Sequence, residues 1–358
     1  MMKKFLCITL VLALSLIVIL QLAGCDKKSS TEENGVKKFS IGLVSDTAGI
    51  NDESFNASAW EGMTKVKRDM GFAIKYLESA QEADYEPNLE KMADSADVVF
   101  AVGYRMASAL KNVAKKNPNK FFVMLDYRYE DELPNTLSLA FKDEQSSFLA
   151  ACSAVCMTKT NNLGIILGAE GEVIDRFRYG FEGGVKYMAK KLGKHVEVDV
   201  QYANNFQDDA KGKAMANAMY TKGIDVIFHA AGNLGKGVIE AAKENNKYVI
   251  GVDQDQHHLA PNNVLTSVMK LVGGAVYDIC EDIRDGKELG GESRSVGLAE
   301  GGVGLSSTTG HLVPKDIIAE IENIKQKIIN VEIIPSYNKE TYNNESLYNC
   351  EKEERFNK

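Results

Sequence analysis

From about residue 38 onward, short runs rich in β-branched residues alternate with stretches whose apolar positions recur at helical spacing, an order that fits a parallel sheet covered on both faces. Few other folds accept it. The pattern predicts strands over 39–44, 73–77, 98–102 and 121–125, separated by helices over 54–70, 86–94 and 106–116. In the first of these helices Phe55, Ala59, Met63, Val66 and Met70 fall on one face. After a crossover around 137–143 the order restarts, with a helix over 145–157, strands over 163–167, 196–202, 224–228 and 248–252, and helices over 173–191, 208–222 and 236–244. The same α/β architecture is thus written twice. A strand over 264–268, a helix over 271–284 and another over 316–329 with Pro314 near its start complete the series. If these pieces cross back, several strands join two doubly wound lobes and act as a hinge. The expected division gives 38–142 and about 256–300 to an N-terminal lobe, and 143–255 and about 301–337 to a C-terminal lobe. Residues 338–358, rich in Asn, Glu and Lys, read as a weakly ordered tail.

A different signal stands at the start of the chain, where Lys3 and Lys4 precede an apolar run over 5–22 and the tetrapeptide Leu22-Ala23-Gly24-Cys25. This resembles a bacterial lipoprotein signal. The resemblance implies removal of residues 1–24, attachment of lipid, palmitate among the acyl chains, at Cys25, and a polar tether over 25–37. An uncleaved membrane span is the alternative, since the run is near the minimum for crossing a bilayer. Two or more acyl chains anchor a protein far more stably than one, so the expected location is the extracytoplasmic face of a cell membrane.

Loss of residues 1–24 takes the formal charge from −8 to −10, because only Lys3 and Lys4 depart. An acidic body carries no footprint for nucleic acid. With Cys7 in the signal and Cys25 lipidated, Cys152, Cys156, Cys280 and Cys350 remain, at spacings that match no zinc site or disulfide framework. Cys152 and Cys156 share one helical face and read as small apolar core residues.

In an open α/β sheet, ligands sit beyond the carboxyl ends of the strands. There this chain places Ser45 to Asn56, Gly103-Tyr104-Arg105, Asp126-Tyr127, Phe228 to Asn233 and Gly251 to His258. Acids and aromatics recur where two lobes would face each other. Singly, each has an ordinary explanation: Asn51 or Asp52 suits a helix N-cap, and Phe55 suits a core. Together they point to a polar cleft with aromatic walls.

Residues 46–62, DTAGINDESFNASAWEG, closely resemble the first motif of the basic membrane protein lipoproteins, a family of substrate-binding proteins that includes purine nucleoside receptors. The likeness continues through Ser147 to Ala150, Val173 to Phe177, Gly180 to Glu182, Gly251 to Gln256 and Leu265 to Lys270, in unbroken order over about 38–335. Thr47 and Ala48 depart from the common pattern, and the loop from Ala231 to Gly235 keeps only part of a Gly-rich one. The resemblance implies a type I periplasmic-binding-protein fold that captures a nucleoside and delivers it to an ABC transporter permease. It further implies that Phe55 and Phe228 sandwich a base, that Asp46, Asn56 and Asp126 read the base edge, and that Asp253 and Lys270 grip the ribose. Gly232 would let backbone N–H approach the 5′ end of the sugar, and Tyr104 would form a pocket wall.

No G-x-G-x-x-G or G-x-x-x-x-G-K-[ST] pattern occurs, and no Arg and Lys cluster lies near these residues to neutralise a phosphate. A nucleoside therefore fits better than a nucleotide. Catalytic and metal-ligating residues and cofactors are not expected. Two rival classes remain: a sugar receptor on the same fold, and a metal-dependent nucleoside hydrolase using Asp253, Asp255, His257 and His258. A surface lipoprotein with an adhesive or signalling role is a third.

Overall fold

The computed structural model describes residues 39–348, so the signal segment, Cys25, the tether and residues 349–358 lie outside the described residues. Elements run in chain order as β1 (Ser40–Ser45), α1 (Phe55–Met70), β2 (Ala73–Glu78), α2 (Tyr85–Ser95), β3 (Val98–Val102), α3 (Ala107–Lys116), β4 (Phe121–Leu125) and β5 (Thr136–Phe141). They continue as α4 (Asp143–Met157), β6 (Asn162–Leu167), α5 (Glu172–Leu192), β7 (Glu197–Tyr202), α6 (Asp209–Thr221), β8 (Val226–Ala230), α7 (Gly235–Asn245) and β9 (Tyr248–Asp253). The last group is β10 (Val264–Lys270), α8 (Val272–Arg284), β11 (Glu292–Val296), β12 (Val303–Leu305), α9 (Lys315–Ile329) and α10 (Lys339–Asn343).

Two sheets result, ordered β11-β5-β4-β3-β1-β2 and β12-β10-β9-β8-β6-β7. Every pairing is parallel except β10 with β12. Central strands such as β3 and β8 are buried along their whole length, as expected where helices cover both faces. Each sheet reverses its strand order beside its first strand, β1 in one and β6 in the other, which opens a crevice at the carboxyl ends there. The two crevices belong to facing lobes.

Among the described residues the chain crosses between lobes at β5 to α4, at β10 to α8 and at β11 to β12. The second crossing corrects the expected division. Residues 256–270 stay with the second sheet, because β10 pairs with β9, and the return to the first lobe begins only at α8. There Gly273 lies so close to α1 that an added Cβ would meet the Ser58 carbonyl at 2.5 Å. β5, expected as a bare crossover, is a full strand, while β11 and β12 extend the two sheets. The tail also differs over its described part: Asn338 caps α10 through Thr341, and Tyr348 is buried with its ring edge-on to Phe148 at 6.4 Å.

α4 is buried on almost every side, and Cys152 within it donates to the Gly184 carbonyl at 3.8 Å. Its neighbour α5 approaches it backbone to backbone, since a Cβ at Gly184 would stand 2.4 Å from the Phe148 carbonyl. That contact seats the middle of α5, whose first two turns carry part of the cleft wall.

Candidate ligand-binding site

A cavity enclosing about 570 Å³, part of it open to solvent, lies between the carboxyl ends of the two sheets. Asp46, Phe55, Asn56, Asp126, Gly232, Asp253 and Lys270 all line it, drawn together from both lobes as the sequence reading expected. Phe228 does not. It is fully buried in β8, stacked on Phe181 at 5.2 Å between ring centroids and 6.3 Å from Phe177. The reason is a strand boundary: β8 runs on to Ala230, two residues beyond the expected end, so Ala230, Ala231 and Gly232 reach the cavity and Phe228 points into the sheet's helix-covered face.

The second lobe supplies its aromatic surface from Phe177, on the second turn of α5, and Phe206, in the loop after β7. Phe206 fits because Gly168 at the end of β6 has no side chain: a Cβ there would sit 2.0 Å from the Phe206 ring. Gly232, at φ 55°, takes the left-handed conformation that glycine adopts freely and also packs on the Phe206 backbone. Neither Phe177 nor Phe206 was singled out from sequence as a ring for the sandwich. Phe177 stood in plain view within the motif from Val173, at helical spacing that also suits a core residue.

The start of α1 is set by Asp52, whose carboxylate accepts from the backbone N–H of Ser54, Asn56 and Ala57, each at 2.9 Å. This satisfies the free N–H groups of the first turn and fixes Phe55 and Asn56 at the cavity edge. Asn56 donates through Nδ2 to Asp46 Oδ1 at 2.8 Å and Asp52 Oδ2 at 3.1 Å, while its Oδ1 is buried with no protein partner. A residue lining the cavity thereby keeps an unpaired acceptor. Burial, opposed by the hydrogen bonds from Ala48 and Asn56, raises the Asp46 carboxyl to about 6.

Asp126 and Asp253 both hold positive φ, 71° and 65°, sparsely populated for a residue with a side chain. Such strain concentrates at functional sites. Lys270 is 2% exposed, with Nζ 2.7 Å from Asp126 Oδ1 and 3.0 Å from Asp143 Oδ2. The rings of Phe55, Phe141 and Phe177 stand 4.8–5.4 Å from the same ammonium. Asp126 is therefore tied to Lys270 at one oxygen and is not simply a reader of base edges. Burial lifts the Asp253 carboxyl to about 7, against the pull of Lys270 and the hydrogen bond from Ser54 Oγ.

Opposite contacts close the cleft over the segment from Asn51 to Ser54. Ser54 of the first lobe bonds Asp253 of the second; Gln256 Nε2 donates to the Glu53 carbonyl at 3.1 Å, and Lys236 Nζ donates to the Asn51 carbonyl at 3.0 Å. Glu53 also lies 3.6 Å from both Lys236 and His258. Gln256 is anchored behind by His229 Nε2, which donates at 3.1 Å, and burial pushes the His229 imidazole down to about 4, so it is neutral. The acidic and histidine residues of the rival metal-site reading, Asp253, Asp255, His257 and His258, turn to separate partners. Asp255 accepts from Thr308 Oγ1 and from its own turn, while His257 meets His311 at 2.9 Å. Among the described residues no group of three or more His, Cys, Asp or Glu is arranged to hold a metal.

A family model described as ABC transporter substrate-binding protein, PnrA-like, matches residues 31–339. The CD4+ T-cell-stimulating antigen of Listeria innocua serovar 6a is 39% identical over 353 residues, covering 91% of this chain and 97% of its own length. Basic membrane protein A2 of Borrelia garinii subsp. bavariensis is 37% identical over 324 residues, covering 89% and 93%. Among solved structures, an ABC transporter system solute-binding protein from Aeropyrum pernix K1 superposes with a TM-score of 0.76 at 25% identity, over 86% of this chain and 96% of its own. The two-lobed fold of type I periplasmic-binding proteins, the cleft between the lobes and these likenesses agree: the chain belongs to the PnrA-like family of ABC transporter substrate-binding proteins.

Proposed function

We propose that this protein is a lipid-anchored extracytoplasmic receptor that captures purine nucleosides and hands them to an ABC permease. The observation that carries the reading is that Phe55 from one lobe and Phe177 and Phe206 from the other line one cavity, beside the buried Asp253 and Lys270. Flat aromatic walls suit a base, for which stacking contributes roughly 1 to 3 kcal/mol. A carboxylate accepts from two adjacent hydroxyls, which suits ribose, and an ammonium donates to a sugar oxygen. Asn56 Oδ1 and the Asp46 carboxyl supply acceptors for base N–H groups. The cavity's exposed cation, Arg105, is already paired with Glu82, which favours an uncharged nucleoside over a nucleotide. Attachment through Cys25 completes the proposal, and mass spectrometry of the membrane-extracted protein tests it by showing whether acyl chains sit on that residue.

Calorimetry tests the ligand. Inosine, guanosine and adenosine are each titrated alongside free ribose and hypoxanthine. At least one nucleoside is expected to bind much more tightly than either of its parts and to be recovered intact. Ribose binding as tightly as the nucleosides would replace this reading with a sugar receptor, and release of free base would replace it with a hydrolase.

A further inference from the structure

Lys270 is the fully buried cation of a cluster that also contains Asp126, Asp143 and Asp253, and the field of Arg176 reaches Asp126 and Asp143 as well. Two of the three carboxylates line the cavity; Asp143 does not, and it is fully buried at the start of α4, on the first crossing between the lobes. Lys270 ends β10, at the second crossing. Their contact therefore ties one crossing to the other and approaches the ammonium from behind, on the side away from the ligand.

A lone ammonium among three carboxylates settles where attraction is strongest, and an uncompensated buried charge is costly. The surrounding groups limit the options. Arg176 serves Glu144 and Glu172, Asp52 is committed to the α1 backbone, and Ser54 donates to Asp253. Without an acid at position 143, Lys270 keeps Asp126 at 2.7 Å, and Asp253, whose carboxyl already feels its field, is the other carboxylate of the cluster toward which it can shift. A full ion pair there would occupy the oxygens that ligand hydroxyls need.

We propose that Asp143 is a positioning residue: by holding the Lys270 ammonium from outside the cavity, it keeps that cation from collapsing onto Asp253 and leaves the Asp253 oxygens to the hydroxyls of the ligand. The inference rests on the nucleoside reading above, and it makes a residue that touches no ligand selective for the sugar. Burial raises the proton affinity of Asp143 and Asp126, and Lys270 opposes the rise at both; the ammonium stands within 3.0 Å of each carboxylate.

The test is Asp143→Asn, an isosteric change, with calorimetry of inosine and hypoxanthine from pH 5 to 9. Inosine affinity is expected to fall about tenfold, the size of one hydrogen bond to a charged group, with hypoxanthine changed less than about twofold. The pH midpoint for inosine is expected to move below that of the parent, because Lys270 closer to Asp253 makes its proton easier to lose. Asp143→Glu is expected to restore the parent midpoint in part. Equal losses for inosine and hypoxanthine with an unmoved midpoint, or no loss at all, overturn the proposal. If Asp143→Asn fails to fold, the same two ligands and midpoint are read in Asp143→Glu, where a parent-like ratio with the parent's midpoint supports the role and equal losses overturn it. Failure of the parent protein to bind inosine would instead remove the nucleoside reading itself.

Discussion

Two buried phenylalanines in contact differ in that only one also lines the cavity. Phe228 is enclosed by Phe177, Phe181 and the strands of the second sheet, so Phe228→Ala leaves a cavity and is expected to cost about 3–5 kcal/mol of stability. Phe177 is buried too but also lines the cavity, so Phe177→Ala is expected to weaken binding of the proposed nucleoside by roughly 1 to 3 kcal/mol in addition to its own cost in stability. Urea denaturation of both variants, paired with calorimetry, separates the two outcomes; a binding loss confined to Phe228→Ala would restore that ring to the sandwich. The misplacement of Phe228 in the sequence reading has a simple physical origin. Strand ends carry little local signal when the strand is buried throughout, and a two-residue error at a carboxyl end exchanges a core position for a site position. Asp46, Asp253 and Gly232 were legible as cleft residues because polar or glycine residues at the ends of buried strands have few structural reasons to be there, whereas Asn56, in the first turn of α1, was named only through the family resemblance. Phe206 was not, since nothing in an Asn-rich loop says that its ring lies over Gly168.

At the scale of elements, alternation of strands and helices was readable wherever strands are buried on both faces, as in β3, β4 and β8. β11 escaped because an edge strand of sequence ESRSV, half exposed, has no apolar run, and β12 because three residues carry no period. Their positions matter, for they close the two outer edges near the crossings. The segment from Asn51 to Ser54 acts in the reverse sense, as the part of the first lobe that the second lobe grips. Lys236 contributes both a hydrogen bond to Asn51 and a contact with Glu53 at its exposed rim. Such exposed pairs contribute at most about 1 kcal/mol, so Lys236→Ala is expected to speed ligand dissociation by up to about fivefold while leaving association unchanged. Stopped-flow release measured at low and high salt checks this. The parent should release faster as salt rises, whereas the variant should lose that sensitivity; a change confined to the association rate would show that Lys236 does not hold the closed cleft.

For the whole molecule, the carboxyls buried between the lobes make folding and ligand capture respond to pH in opposite directions. Asp253 is raised to about 7 and Asp46 to about 6, each by burial, whereas an unfolded Asp titrates near about 3.9. The folded chain thus holds protons that the unfolded chain releases, so these groups favour folding fully below about pH 4 and that contribution is lost as pH rises through about 6 and 7. In the proposed binding mode ligand hydroxyls would donate to the ionised form of Asp253, so affinity is expected to climb over the same interval. The separation in melting temperature between liganded and unliganded protein should therefore widen from pH 5 to pH 8, as the unliganded form weakens and the bound form gains its hydrogen bonds. Asp253→Asn removes both slopes at that position: the unliganded protein should lose less stability across the interval, and the separation should stay small throughout. A separation in the parent that is constant with pH would show that Asp253 does not meet the ligand as an anion, and the ribose would then have to be held by other groups lining the cleft.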